Sequence, residues 1–222
     1  MSQKLIPQNP DDVMVIRDLT PNITTFSVPF SRFGAVKIGG RGTLVRLSSG
    51  ALAVFSPVAL TDAVRAKIAE KGGDLAYIVA PDIEHHIFLS EYKAAFPAAR
   101  LIGPDGLPQK RAKQTGDPKI NPSTPTLSTI LQGAEGERDT SSGLANRLFG
   151  SLQTTEGDVK WVKRFQWYVM SSKDRPSFND SIRRIEAWDF DTIVPCHGDT
   201  IQGDGKERFR KVFEWHLAGE KH

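Results

Sequence analysis

The chain has a single cysteine, Cys196, among 222 residues. That excludes a disulfide framework and a cysteine-built zinc knuckle. No apolar run approaches the length needed to cross a bilayer. The opening residues, Met1-Ser2-Gln3-Lys4-Leu5-Ile6-Pro7, hold no apolar stretch of signal-peptide length. A cytoplasmic protein with no membrane partner is the expectation. Blocks of one charge are also missing: 29 Lys and Arg stand against 26 Asp and Glu, for a formal net charge of +3. The one tight basic patch, Lys110, Arg111 and Lys113, reads as a solvated surface, and no motif points to a nucleic-acid partner. A hydrophobic share of 39% with 25% charged residues describes a globular chain rather than a disordered one.

Histidine is scarce, and its placement is informative. Three of the five histidines fall in two short clusters, Pro81-Asp82-Ile83-Glu84-His85-His86 and Pro195-Cys196-His197-Gly198-Asp199. Each cluster follows a short apolar run, Leu75 to Val79 and Thr192 to Val194, that reads as a strand. Side chains just past strand ends are where an α/β fold presents chemistry, and His, Asp and Glu are ligands for Zn²⁺ and similar ions.

The first third of the chain reads as strands at Val13 to Ile16, Ile23 to Val28, Ala35 to Ile38, Thr43 to Leu47 and Ala51 to Phe55, with Ser48-Ser49-Gly50 as a hairpin turn. Thr61 caps a helix that runs to Lys71 and stops at Gly72-Gly73. Strand Leu75 to Val79, a helix from about His86 to Phe96, and strand Arg100 to Ile102 follow. Gly103 to Ser142 lacks periodicity and reads as an irregular loop or insertion; Leu144 to Leu152 reads as a short helix. Beyond Asp158, Trp161, Phe165, Tyr168 and Val169 share one helical stripe that reads as core, with Trp167 off it. Ser177 and Asp180 suggest a capping box for a helix burying Phe178, Ile182 and Ile185. A last helix, about Lys206 to Leu217, buries Phe209, Val212, Phe213 and His216. With no repeat and no clear linker, residues 1–222 read as one α/β domain.

This order of parts resembles the metallo-β-lactamase fold. Ile78-Val79-Ala80-Pro81, His85-His86-Ile87-Phe88-Leu89 and Phe96-Pro97-Ala98-Ala99 resemble the DUF4336 proteins of that superfamily. So do Arg164-Phe165, Trp167-Tyr168, Asp174-Arg175-Pro176-Ser177-Phe178-Asn179, Trp188-Asp189-Phe190-Asp191 and the Pro195–Asp199 cluster, which look like fungal members. The resemblance implies a metallo-β-lactamase-like α+β sandwich, incomplete in its second half. Enzymes of that superfamily carry His-x-His-x-Asp-His, which here is eroded. Ending the motif at His85 puts Asp82 on the second His and Glu84 on the Asp; ending it at His86 puts Pro81, Ile83 and His85 on those positions. The first register keeps more ligand-capable groups and is preferred. His197 matches the superfamily's terminal histidine. No counterpart of the family's Ala-Asp-Leu strand end stands between Lys113 and Gly143, where Asp117 and Asp139 are the only aspartates.

Two functions follow as expectations. One is a mononuclear metal-dependent hydrolase of a small ester, lactone or thioester. Its metal residues come from Asp82, His85, His86 and His197, Glu84 is its general base, and its ion is Zn, Fe or Mn. The other is a non-catalytic protein that keeps the fold without a metal and binds a small molecule or a protein. Bland alternatives exist for each residue: His85 or His86 capping a helix, Asp82 and Glu84 facing solvent, His197 bonding backbone in a turn, Cys196 buried and inert. His216 reads as a core histidine.

Overall fold

Short runs of β-branched residues between turn residues carry the first half of the chain into strands. The computed structural model describes residues 7–32, 36–37, 39–115, 155 and 159–222. Its contacts divide the chain into two compact units, Met1–Ala35 with Gly39–Thr129, and Val36–Ile38 with Ile130–His222.

In the first unit, β1 (Val15–Thr20), β2 (Ile23–Val28), β3 (Gly40–Arg46) and β4 (Leu52–Phe55) form an antiparallel meander. Strands β5 (Leu75–Val79) and β6 (Arg100–Ile102) then join in parallel, completing a six-stranded sheet in chain order. Parallel neighbours need a crossover. Helix α1 (Asp62–Glu70) supplies it between β4 and β5, and α2 (Leu89–Ala95) between β5 and β6. Thr61 caps α1 as expected, its side chain accepting from Val64 N at 3.3 Å. Gly72 and Gly73 end it at φ +124° and +75°, a region L side chains rarely adopt. Phe26, Leu44, Val54, Val64, Ile68, Ile78, Leu89 and Tyr92 form the buried core of this unit. Truncating such a residue to Ala costs about 2–5 kcal/mol.

Two expectations in this unit need correction. Helix α2 begins at Leu89 rather than His86, because the Asp82 carboxylate captures the Glu84 and His85 amides and holds the chain in a turn. The stretch read as irregular from Gly103 contains a helix, α3 (Leu107–Thr115), entered through Gly106 at φ +84° and anchored by buried Leu107. Its polar composition hides it from a periodicity reading. The rest of the expected loop to Ser142, and the helix expected at Leu144 to Leu152, lie outside the described residues.

From Val159 onward the described residues of the second unit are mainly helical. Helix α4 (Lys160–Phe165) continues into a π-helical turn, Gln166–Met170, and is followed by α5 (Arg175–Glu186), α6 (Gly205–Val212) and α7 (Glu214–Ala218). Val159, Val162, Ile182, Phe209, Val212 and Phe213 are its core. Buried His216 joins them: its Nδ1 lies 2.7 Å from Asn179 Oδ1, and its ring stacks within 5.0 Å of Trp167 and 4.8 Å of Phe178.

The aromatic stripe runs opposite to expectation. Val162, Gln166 and Trp167 are buried, whereas Trp161, Phe165, Tyr168 and Val169 are exposed. The run carries two apolar lines, and the π-turn, closed by Ser171 N donating to Gln166 O at 3.0 Å, adds a residue to the turn and brings Trp167 inward. Asp174, not Ser177, caps α5, accepting from Ser177 N at 3.1 Å. Thr192 to Val194 is not a strand: only Ile193 pairs, in a single bridge to Ile201. The last helix breaks at Phe213 into α6 and α7, and the four residues expected to be buried there are buried.

Candidate functional site

Three parallel strands of the first unit end side by side. After β4, buried Ser56 holds φ +48° and its amide donates to Val79 O at 2.9 Å. A non-glycine residue in that region is uncommon and marks local constraint. After β5, Ala80 N donates to Ile102 O at 2.8 Å and hands the chain to Pro81 and Asp82. The acidic and histidine cluster therefore stands at the C-terminal ends of the parallel strands of a mixed sheet, where α/β folds bind ligands.

Asp82 organises the turn. It is 4% exposed; its Oδ1 accepts from Glu84 N at 2.6 Å and His85 N at 2.9 Å, and its Oδ2 lies 2.7 Å from His85 Nδ1. An ionised carboxylate only accepts, so His85 Nδ1 carries the proton of that bond. Burial pushes the Asp82 carboxyl up, but the His85 hydrogen bond and charge, with the His85 and Glu84 amides, hold it well below the usual carboxylate range.

Two cations from α3 complete the cluster. Lys110 Nζ lies 2.6 Å from Glu84 Oε1. Arg111, 4% exposed, donates from Nη1 to His86 O at 3.0 Å and to His86 Nδ1 at 3.2 Å, and from Nη2 to Ser90 Oγ. Since a guanidinium only donates, His86 Nδ1 is an acceptor and its ring proton sits on Nε2. Burial, then the Lys110 and Arg111 charges, push His86 below its ordinary value. This corrects the reading of Lys110, Arg111 and Lys113 as a solvated patch, at least for Arg111. Nothing in the local sequence marks it: its partners stand about one helix and one strand earlier in the chain.

The structure thus brings Asp82, Glu84, His85 and His86 together. His197 belongs to the second unit, half-buried in the Pro195–Asp199 turn ahead of Gly198 at φ +96°. Cys196 beside it is a half-buried thiol, not a fully buried one.

A divalent ion needs several ligand atoms converging on one point with their lone pairs available. Here the Asp82 oxygens turn onto their own backbone and His85, the Nδ1 lone pair of His86 faces a guanidinium, and Lys110 covers Glu84. Among the described residues no group of three His, Cys, Asp or Glu could hold a metal ion. Within this turn both carboxylates and both imidazole Nδ1 atoms are already engaged.

Comparison with known proteins agrees with the topology. The metal-soaked Flv1 flavodiiron core from Synechocystis sp. PCC6803 is similar with a TM-score of 0.60 at 14% identity, over 92% of this chain and 61% of that one. A flavoprotein from Thermotoga maritima gives 0.55 at 10% identity, over 91% and 61%. The fold is metallo-β-lactamase-like. The DIM-1 metallo-β-lactamase has a TM-score of 0.48 at 11% identity, covering 94% of this chain and 98% of its own. This chain spans about three fifths of the length of the first two proteins. The profile of DUF4336, a domain of unknown function, matches residues 30–106. That stretch includes Asp82 to His86 and stops short of Lys110 and Arg111. No curated protein matches the sequence.

Proposed function

We propose that this chain is a metal-free member of the metallo-β-lactamase-like fold that works by binding rather than by metal-dependent hydrolysis. The observation that carries the reading is the ion-paired turn: Arg111 against His86 and Lys110 against Glu84, with Asp82 bonded to its own turn. Two positive side chains stand against these groups, and displacing buried Arg111 would leave its partners unsatisfied at a cost of a few kcal/mol. A small molecule or a protein at the C-terminal ends of β4, β5 and β6 is the partner this reading implies.

The second reading, a mononuclear hydrolase of a small ester, lactone or thioester with Glu84 as base, draws support from the Asp82–His85 pair. A carboxylate on Nδ1 is the arrangement that fixes a metal-binding histidine and turns its Nε2 outward. In that reading His85 and His197 are ligands of a Zn, Fe or Mn ion, and Asp82, expected as a third, orients His85 instead.

One experiment separates the two. Metal content is measured by mass spectrometry on protein purified without chelator, and melting temperature is followed with added Zn²⁺. Metal well below one equivalent and an unmoved melting temperature are expected. About one metal per chain, lost in both His85→Ala and His197→Ala, would overturn the proposal in favour of the hydrolase.

A further inference from the structure

The function proposed above uses nothing from α4 and the π-turn, yet they carry the most unusual surface in the described part of the chain. Trp161, Phe165, Tyr168 and Val169 lie at i, i+4, i+7 and i+8 of one continuous helical run and are 54%, 37%, 54% and 55% exposed. Single exposed apolar residues are ordinary; a contiguous face of them marks an interaction surface.

Two cations stand against the rings of this face. The Arg164 guanidinium stands 5.1 Å from the centre of the Trp161 ring. Lys221 Nζ stands 5.2 Å from the Tyr168 ring and donates to its hydroxyl at 2.7 Å. The Tyr168 phenol is held below its ordinary value by that bond first, against a small opposing effect of burial, and then by the charges of Lys221, Arg164 and Arg175. Exposed Lys160 opens the same helix, and the nearby Glu214 carboxylate is paired with Lys163.

We propose that this face docks on an anionic membrane surface. Trp161, Phe165, Tyr168 and Val169 enter the headgroup boundary while Arg164 and Lys221 meet the lipid anions. Aromatic residues with an amphipathic body favour that boundary, and flanking cations add attraction to acidic lipids. Charge argues against a second copy of the chain as the occupant, because a two-fold contact would set the same cations face to face. It argues less for a nucleic acid, since Trp161 and Tyr168 each already carry a cation against the ring that a base would stack on. The expectation of no membrane partner rested on the lack of a spanning segment. Among the described residues no helix is long and apolar enough to cross a membrane, and docking on the surface needs none.

The test is co-sedimentation of the full chain with phosphatidylserine-rich vesicles and with pure phosphatidylcholine vesicles, at low and high salt. Binding to the acidic vesicles that weakens with salt, and a blue shift of tryptophan emission, are expected. Trp161→Ser with Phe165→Ser should abolish binding. Arg164→Gln with Lys221→Gln should weaken it about 25-fold, at roughly fivefold per basic residue. These side chains are substantially exposed, and circular dichroism and melting temperature identify any variant that unfolds. Failure of the wild-type chain to bind acidic vesicles at low salt overturns the proposal, as does undiminished binding by both folded variants. Binding of a single-stranded oligonucleotide through the same residues, with vesicles left untouched, overturns it too.

Discussion

Asp82→Asn isolates the charge at the centre of the β5 turn with almost no change of shape. The wild-type carboxylate accepts three hydrogen bonds at 2.6, 2.9 and 2.7 Å while 4% exposed. The amide oxygen of Asn can keep both backbone bonds as a neutral acceptor. Its NH₂ then meets His85 Nδ1–H, donor against donor, unless the imidazole changes tautomer. What is lost is a charge-assisted bond and part of two others, about 1.5–3 kcal/mol in all. For a chain of this size that is a fall of roughly 3–12 °C in melting temperature. The pH dependence fixes the cause. Asp82 stays ionised in the folded protein at pH values where the unfolded aspartate, with its ordinary value of 3.8, takes up a proton. Its contribution is therefore complete above about 3.8 and drains away as pH falls below that. Urea unfolding of wild type and variant at neutral pH and near pH 3 is the assay, and the gap between them should narrow in acid. A variant as stable as wild type at neutral pH, or a gap that widens in acid, would refute the argument.

Two further outcomes are expected. Burial first, then the Arg175 charge, with the Gln166 carbonyl opposing, push His216 down to about 4 from 6.5. The folded state therefore binds fewer protons than the unfolded one between those values, so stability should fall as pH drops from 6.5 toward 4, by at most about 3 kcal/mol. Thermal melts across that range should show the slope, and His216→Phe combined with Asn179→Leu should flatten it. A Cβ at Gly205 would meet Asp191 O at 2.6 Å, backbone that cannot swing aside. Gly205→Ala should cost about 1–3 kcal/mol, read as a lower urea midpoint at unchanged slope.

The sheet of the first unit was legible where strand and boundary chemistry coincide. Ile23–Val28, Leu75–Val79 and Arg100–Ile102 stand where they were expected, each bounded by turn residues or a helix stop. Legibility failed where structure depends on partners far along the chain. Arg111 is buried by His86 and Ser90, more than a helix away, and no local pattern distinguishes it from solvated Lys113. Thr192 to Val194 has the composition of a strand but finds one bridging partner, Ile201, and so makes no ladder. The Trp161 stripe has the right spacing for a core, yet helical spacing alone does not say which of two apolar lines faces inward. The π-turn decided that in favour of Trp167.

The same argument from distant partners applies to the cluster at the strand ends. Asp82, Glu84, His85 and His86 crowd acceptors together at the edge of a buried sheet, and such a group needs positive charge to hold it. In a metal-bearing site an ion supplies that charge; in this turn α3 supplies it as Lys110 and Arg111. A guanidinium is suited to the place because its fork reaches a carbonyl, an imidazole nitrogen and a hydroxyl at once and keeps its charge at any ordinary pH. It offers no vacant orbital to activate water. Position in the fold and chemistry at that position are separable. On the reading proposed above, the strand ends keep the first and arrange a different second.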